Sequence, residues 1–288
     1  MSGGEIEQWA AKRLGRAALI DFVRSTSHEA RVAYPRLLEN VLSQADGRLV
    51  WAGSIDQQLV GHDLAHFEDI LISEFPSAEA CGRALALRRG WQPETILNEL
   101  ISHIVQPWPS FGPMLAGVAF AAARLLRAGR RIGRSEDDAA TDRVALLGHM
   151  RPDLGPDEAQ LARLQASQRE GRVVMVNLLH YLDRAQYRPD DRVTEDRSGE
   201  QAYRRYGRTA VPMIAGLGGR LRWMGSRMRC LADDRDERWD SVAVVQYPSR
   251  EAFRCMLESE RYRRATHHRD AGLARTRLLV CTSHAEFH

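Results

Sequence analysis

Lysine is almost missing from this chain: Lys12 is alone among 41 lysines and arginines. With 38 acidic residues set against them, the formal net charge is +3. That leaves no clustered basic surplus of the kind a nucleic-acid face requires, so no nucleic-acid partner is expected. The arginine bias reports a GC-rich genome more readily than a demand for bidentate anion recognition. Cysteine is sparse too. Cys81, Cys230, Cys255 and Cys281 form no C-x-x-C pair and no zinc-spaced cluster with histidine, so reduced thiols are expected and no metal site is assigned. The most apolar stretch, Met114 to Leu126, contains Arg124 and falls short of the ~20 residues that span a bilayer. The start, Met1-Ser2-Gly3-Gly4-Glu5, lacks the basic segment and apolar run of a secretory leader, and the expectation is a cytoplasmic protein. There is no G-x-G-x-x-G after a strand, no P-loop, no H-E-x-x-H and no G-x-S-x-G, which argues against the common nucleotide, zinc-protease and α/β-hydrolase classes.

What is present is an internal repeat in a 288-residue chain of ordinary globular composition, 44% hydrophobic and 27% charged. Shifted by 172 residues, Tyr34–Cys81 aligns with Tyr206–Phe253 without a gap, and 13 of the 48 positions are identical. Gly47-Arg48-Leu49-x-Trp51-x-Gly53-Ser54 matches Gly219-Arg220-Leu221-x-Trp223-x-Gly225-Ser226, and Pro76-Ser77-x-Glu79-Ala80 matches Pro248-Ser249-x-Glu251-Ala252. The first strand of each copy, Ala18–Phe22 and Val174–Leu178, aligns at a spacing of 156. The second copy therefore carries a 16-residue insertion between about Asp183 and Ser198, whose composition marks a loop, either a lid or a surface excursion.

Periodicity within the second copy predicts an apolar strand over Val173–Leu179 and then a helix carrying Tyr203, Tyr206, Val211 and Ile214. Strands over Arg220–Ser226 and Trp239–Tyr247 follow, then a helix opened by Ser249 and a last strand over Thr276–Thr282. The order β-α-β-β-α-β is the ferredoxin-like split βαβ, an α+β class. Such a sheet has helices on one face only, so its other face must be covered, and a second homologous sheet is the obvious cover. The expected architecture is two tandem modules, 14–107 and 169–288, joined by a helical connector over 108–168. Together they form a pseudo-dimeric barrel whose interior can hold a small ligand. In the connector, Gly112–Ile132, Asp142–Met150 and Asp157–Ser167 read as helices on the barrel exterior.

Several residues stand out as site candidates. Asn177 and Asp21 are equivalent polar residues in apolar strands, where an unpaired group costs about 1–3 kcal/mol; each bonds either a neighbouring loop or a ligand. Asp240 and Glu68 begin the third strand of each copy, and Gln246 and Glu74 end the same face. A carboxylate at the mouth of an apolar cavity could act as general base, or pair with Arg220 or Arg222. Trp51 and Trp223 are either core or pocket wall. His267 and His268 suit proton transfer, although adjacent helical positions point ~100° apart. Tyr203 and Tyr206 share a helix face.

The second copy resembles the dimeric α+β barrel superfamily, and within it the family numbered 1330 among the domains of unknown function. The resembling residues are Val-Val-Met-Val-Asn177-Leu-Leu, Tyr203-x-x-Tyr206-Gly207, Gly218-Gly219-Arg220, Arg238-Trp239-Asp240, Tyr247-Pro248-Ser249 and His267-His268-Arg269. In the first copy Asp21 replaces the asparagine, Glu68 replaces Asp240, and no His-His-Arg is found. The resemblance implies the fold and leaves the reaction open. It is compatible with a cofactor-independent enzyme in which Asp240, His267 or His268 moves a proton while Asn177 and Tyr206 orient a small, partly apolar substrate. Because tandem members of the superfamily include haem enzymes, it is also compatible with a haem protein, or with a non-catalytic barrel. As a partner only a small molecule is expected, and the chain is either a monomer with an internal pseudo-dimer or a homodimer.

Overall fold

The computed structural model describes residues 15–90, 96–108, 150–191, 193, 196–231 and 238–284. The first copy comprises β1 (Ala17–Ser25), α1 (His28–Gln44), β2 (Arg48–Val60), β3 (Asp69–Phe75), α2 (Ala78–Arg89) and β4 (Leu97–Pro107). After α3 (Glu158–Ala166), the second comprises β5 (Val173–Tyr181), α4 (Gly199–Gly216), β6 (Arg220–Cys230), β7 (Ser241–Tyr247), α5 (Arg250–Glu258), α6 (Glu260–Gly272) and β8 (Leu273–Ser283). The expected connector segments Gly112–Ile132 and Asp142–Met150 lie outside the described residues, apart from Met150.

Helix starts follow local chemistry. The hydroxyls of Ser27, Ser77 and Ser249 accept the backbone N–H three residues on, at 3.2, 3.2 and 3.1 Å. The single helix α2 corresponds to two helices in the second copy because Ser259 is extended and its hydroxyl caps Tyr262 N at 3.2 Å. No helix among the described residues is long and apolar enough to cross a membrane.

The eight strands form one closed antiparallel barrel in the order β1-β3-β2-β8-β5-β7-β6-β4. Each copy contributes its four strands in the order fourth, first, third, second. The copies join where β2 pairs with β8 and β4 with β6, so every strand edge is used within one chain.

Alternation divides each strand between barrel and helix layer. Ile20, Phe22, Ile70, Ile72, Val176 and Val244 belong to the interior cluster. A register shift recurs at the same place in both copies, between Leu49 and Trp51 and between Leu221 and Trp223, and both indoles enter the interior. The glycine two residues on is required by this packing: a Cβ on Gly53 would lie 2.5 Å from Trp51 Cζ2, and one on Gly225 would lie 2.9 Å from Trp223 Cη2. Trp51 Nε1 donates to Ser283 Oγ and Trp223 Nε1 to Glu74 Oε1, both at 2.8 Å. Trp239 joins the same cluster, with the Arg275 guanidinium 4.4 Å from its ring centroid. The interior expected to hold a ligand is thus occupied by the protein's own side chains, three indoles among them.

Candidate functional site

Asp21 and Asn177 face outward from the barrel into the layer beneath the helices, and there the two copies diverge. In the first copy Asp21, fully buried, accepts from Arg88 Nη1 at 3.1 and 3.2 Å and from Ser102 Oγ at 2.6 Å. Arg88 Nη2 donates to Tyr34 Oη at 3.1 Å. Leu38 on α1 and Leu71 on β3 join the surrounding core, each at most 2% exposed. That layer is filled by an ion pair and two leucines.

In the second copy the equivalent layer contains a cavity of about 150 Å³, bounded by α4, the outer faces of β5, β7 and β8, and the α5–α6 pair. The repeat supplies its cause. The residue 172 positions after Leu38 is Ala210, and the one after Leu71 is Ala243; both line the cavity. Asn177 stands where Asp21 stands, and the position equivalent to Arg88 falls just past the helix break at Ser259. Gly207 also lines the cavity, and a Cβ there would meet no atom within 4 Å.

Few polar groups line this space. The Asn177 amide reaches Ala243 O only at 3.4 Å and Met175 O at 3.5 Å, long contacts that leave bonding capacity for a ligand. Tyr203, Tyr206 and Tyr262 stand together on the helix side, with ring centroids 5.4 Å apart for the first pair and 6.0 Å for Tyr206 and Tyr262. Burial pushes the Tyr203 and Tyr206 hydroxyls above the ordinary phenol range, so they are protonated donors at neutral pH. Arg269 is held by Asp270 Oδ1 at 2.9 Å and by the Leu154 carbonyl.

Of the residues singled out in the sequence, Asn177, Tyr203 and Tyr206 come together here, and the others do not. Asp240 Oδ2 accepts from Tyr181 N at 2.7 Å and contacts His180 Nδ1 at 2.9 Å. Its counterpart Glu68 accepts from Ser25 N at 2.9 Å. The expected pairing of Asp240 with Arg220 or Arg222 is replaced by this backbone bond, because the carboxylate sits at the end of β5. Glu74 is held inside one barrel mouth by Arg16, by Arg48 at 3.0 Å and by the Trp223 indole. Gln246 accepts from Arg222 Nε at 2.8 Å. Trp51 and Trp223 are barrel core. His267 and His268 lie on α6 against Tyr187 of the insertion, whose hydroxyl is 2.9 Å from His268 Nδ1. Burial lowers His268 to about 4, with the neighbouring His267 adding to the effect.

Sequence reasoning passed over Arg88, His180 and Tyr262, and above all the alanines 210 and 243; Arg269 entered only as part of the resembling His267-His268-Arg269. The signal for the alanines was available, since both face leucines in the repeat alignment. The buried His103 was also missed. It lies in the barrel edge-on to Phe22 at 5.9 Å, and burial lowers it to about 4.

The profile of the family described as Domain of unknown function (DUF1330) matches residues 194–282. The RPA0582 protein of unknown function from Rhodopseudomonas palustris is 36% identical, the match covering 44% of this chain and 93% of that one at a TM-score of 0.40. The chain belongs to the DUF1330 family. Its membership is carried by the second copy, which holds both the matched residues and the cavity. Lower likenesses span nearly the whole chain. An anthrone oxidase-like protein is 13% identical over 96% of each chain, with a TM-score of 0.43. A mutant chlorite dismutase from Candidatus Nitrospira defluvii is 8% identical over 93% of this chain and 91% of that one, also at 0.43. No curated protein matches the chain.

Haem can be tested against the cavity directly. Drug-sized ligands occupy about 300–1,000 Å³, and a porphyrin is no smaller. The space of about 150 Å³ is too small for it, and no histidine or cysteine among the described residues lines it. The described residues that line this cavity do not fit haem.

Proposed function

We propose that the second copy binds one small, largely apolar molecule of single-ring size, carrying a hydrogen-bonding group, in the cavity beneath α4. The observation that carries this reading is the paired exchange of Leu38 for Ala210 and Leu71 for Ala243, which opens in one copy a space that the other fills. An apolar cavity of about 150 Å³ is the size that admits benzene. Asn177 supplies an amide at the sheet side, and the tyrosines supply donors at the helix side. The first copy, closed by Asp21, Arg88 and its leucines, is the scaffold half.

The acid/base form of this reading, with Asp240, His267 or His268 moving a proton, draws no support from the cavity. Among the described residues its polar lining consists of Asn177, tyrosine hydroxyls and Arg269, with no carboxylate or histidine. Binding without proton transfer is the reading favoured. The test is a calorimetric titration of the purified protein with phenol and with benzene, beside the Ala243→Leu variant, which restores the first copy's residue. Saturable binding to the wild type that the variant loses is expected. Equal binding by both proteins places the ligand elsewhere and overturns the reading.

A further inference from the structure

The insertion found only in the second copy builds a second concave feature, separate from the cavity beneath α4. Residues Gln186, Arg188 and Asp191 of the insertion line a cleft of about 360 Å³ together with residues of α6 and Arg151. The insertion wall is fixed to the body. Gln186 N donates to Ala271 O at 2.8 Å, Leu182 N to Gly272 O at 3.0 Å, and Tyr187 is bonded to His268. The lid-or-excursion alternative left open by the sequence resolves into a docked wall.

The cleft is lined by four arginines, residues 151, 188, 263 and 264, together with His267, against two aspartates. Both aspartates are already committed to the protein. Asp270 accepts from Arg151 N at 2.7 Å and from Arg269 at 2.9 Å, and Asp191 accepts from Arg188 N at 2.7 Å. Two of the arginines are balanced from outside the cleft, Arg151 by Asp153 and Arg264 by Glu260. Among the described residues Arg188 makes no ion pair, and it lines the cleft together with Arg263 and His267. A concave site whose carboxylates are spent and which four arginines line is complementary to a planar or tetrahedral oxyanion, which guanidinium forks bind with charge-assisted hydrogen bonds.

We propose that this cleft binds a small multivalent oxyanion, a metabolite bearing phosphate or several carboxylates. The insertion contributes Arg188, and α6 contributes Arg263 and His267. The site is independent of the apolar cavity and would stand if that cavity bound nothing.

The experiment is calorimetric titration of the full chain at low ionic strength with inorganic pyrophosphate and, separately, with citrate, supported by amide shift mapping. Arg188→Gln/Arg263→Gln is the test variant, and Arg208→Gln, on exposed α4 surface, is the control. Expected is a dissociation constant at or below the order of 1 mM for at least one anion, weakened about tenfold or more in the double variant and unchanged in the control. Shifts should centre on Gln186, Arg188, Thr266 and Ala271. Pyrophosphate binding alone assigns a phosphate ligand, and citrate binding alone a polycarboxylate. No binding of either anion, equal weakening by the control, or shifts centred on another part of the barrel would overturn the proposal.

Discussion

Replacing Ala243 by leucine tests whether the space beneath α4 is real. The side chain lines the cavity, on a strand otherwise packed as tightly as its counterpart, which carries leucine at the equivalent Leu71. The substitution adds three carbons. At about 0.8 kcal/mol for each buried CH₂, full burial contributes roughly 2.4 kcal/mol, from which fixing the leucine rotamer removes about 0.5–1 kcal/mol. Imperfect fit against Tyr206 and Asn177 reduces the gain further, so the expected net is a stabilisation of about 1 kcal/mol. For a chain of this size that is a rise in melting temperature of ~2–4 °C. Denaturant titration with an unchanged slope, beside differential scanning calorimetry, measures both. Overpacking of an already full site costs about 1–3 kcal/mol, so a variant destabilised by that amount would show that the space is absent. The reasoning from the repeat would then fail with it.

The first copy responds in the opposite way. Arg88→Met leaves Asp21 buried without its cation, and breaking such a pair costs about 3–5 kcal/mol, read as a shift in urea midpoint; a loss below 1 kcal/mol would mean that the pair is idle. Gly272→Ala places a Cβ 2.4 Å from Gly199 O, where α6 crosses the start of α4; reduced thermal stability and loosened protection of the insertion amides are expected, and a neutral outcome would deny the close crossing. His103 and His268 are both lowered to about 4 by burial, below the ~6.5 of an unfolded histidine. The unfolded chain therefore takes up protons first, so stability is present above about pH 6.5 and is lost as pH falls from there towards 4. The His268→Gln variant should lose less over that window than the wild type, and identical pH profiles would contradict a neutral His268.

How much of this was legible in the sequence depended on whether the signal was periodic or relational. The βαββαβ order and the capping serines follow from periodicity and local chemistry, and both appear in each copy. The direction of Asp21 and Asn177 was not legible. Ala17–Val23 is buried on both faces, barrel on one and helices on the other, so alternation could not assign a parity. With parity open, the barrel interior was the natural place for a ligand. The indoles that fill it were visible as Trp51 and Trp223, but not their bonds to Ser283 on the neighbouring strand and to Glu74 of the other copy. The grouping of Asn177 with Tyr203 and Tyr206 was legible because all three sit in one resembling segment. The pairing of His180 with Asp240 arises only when β5 and β7 align, and nothing local announces it.

The duplication sorts residues by what it kept and what it let change, and Asp240 is the instructive case. Asp240 and Glu68 accept the backbone N–H of Tyr181 and Ser25, which are equivalent terminal residues of β5 and β1. Asp240 N and Glu68 N in turn donate to Leu179 O and Val23 O, again equivalent. A pair of backbone bonds repeated in a copy whose equivalent layer is packed is a scaffold role, closing the strand end so that its last donor is satisfied. Asp240→Ala and Glu68→Ala should therefore each cost about 1 kcal/mol or more by leaving that donor unpaired. The equal effect is the informative part, because ligand binding in the second copy should be untouched by either change once the protein is folded. If Asp240→Ala abolished binding of a ligand that Glu68→Ala left alone, while both lost the same stability, Asp240 would belong to the site after all. The exchanges that separate the copies, Ala210, Ala243, Asn177 and the insertion from 183 to 198, are where function has room to differ.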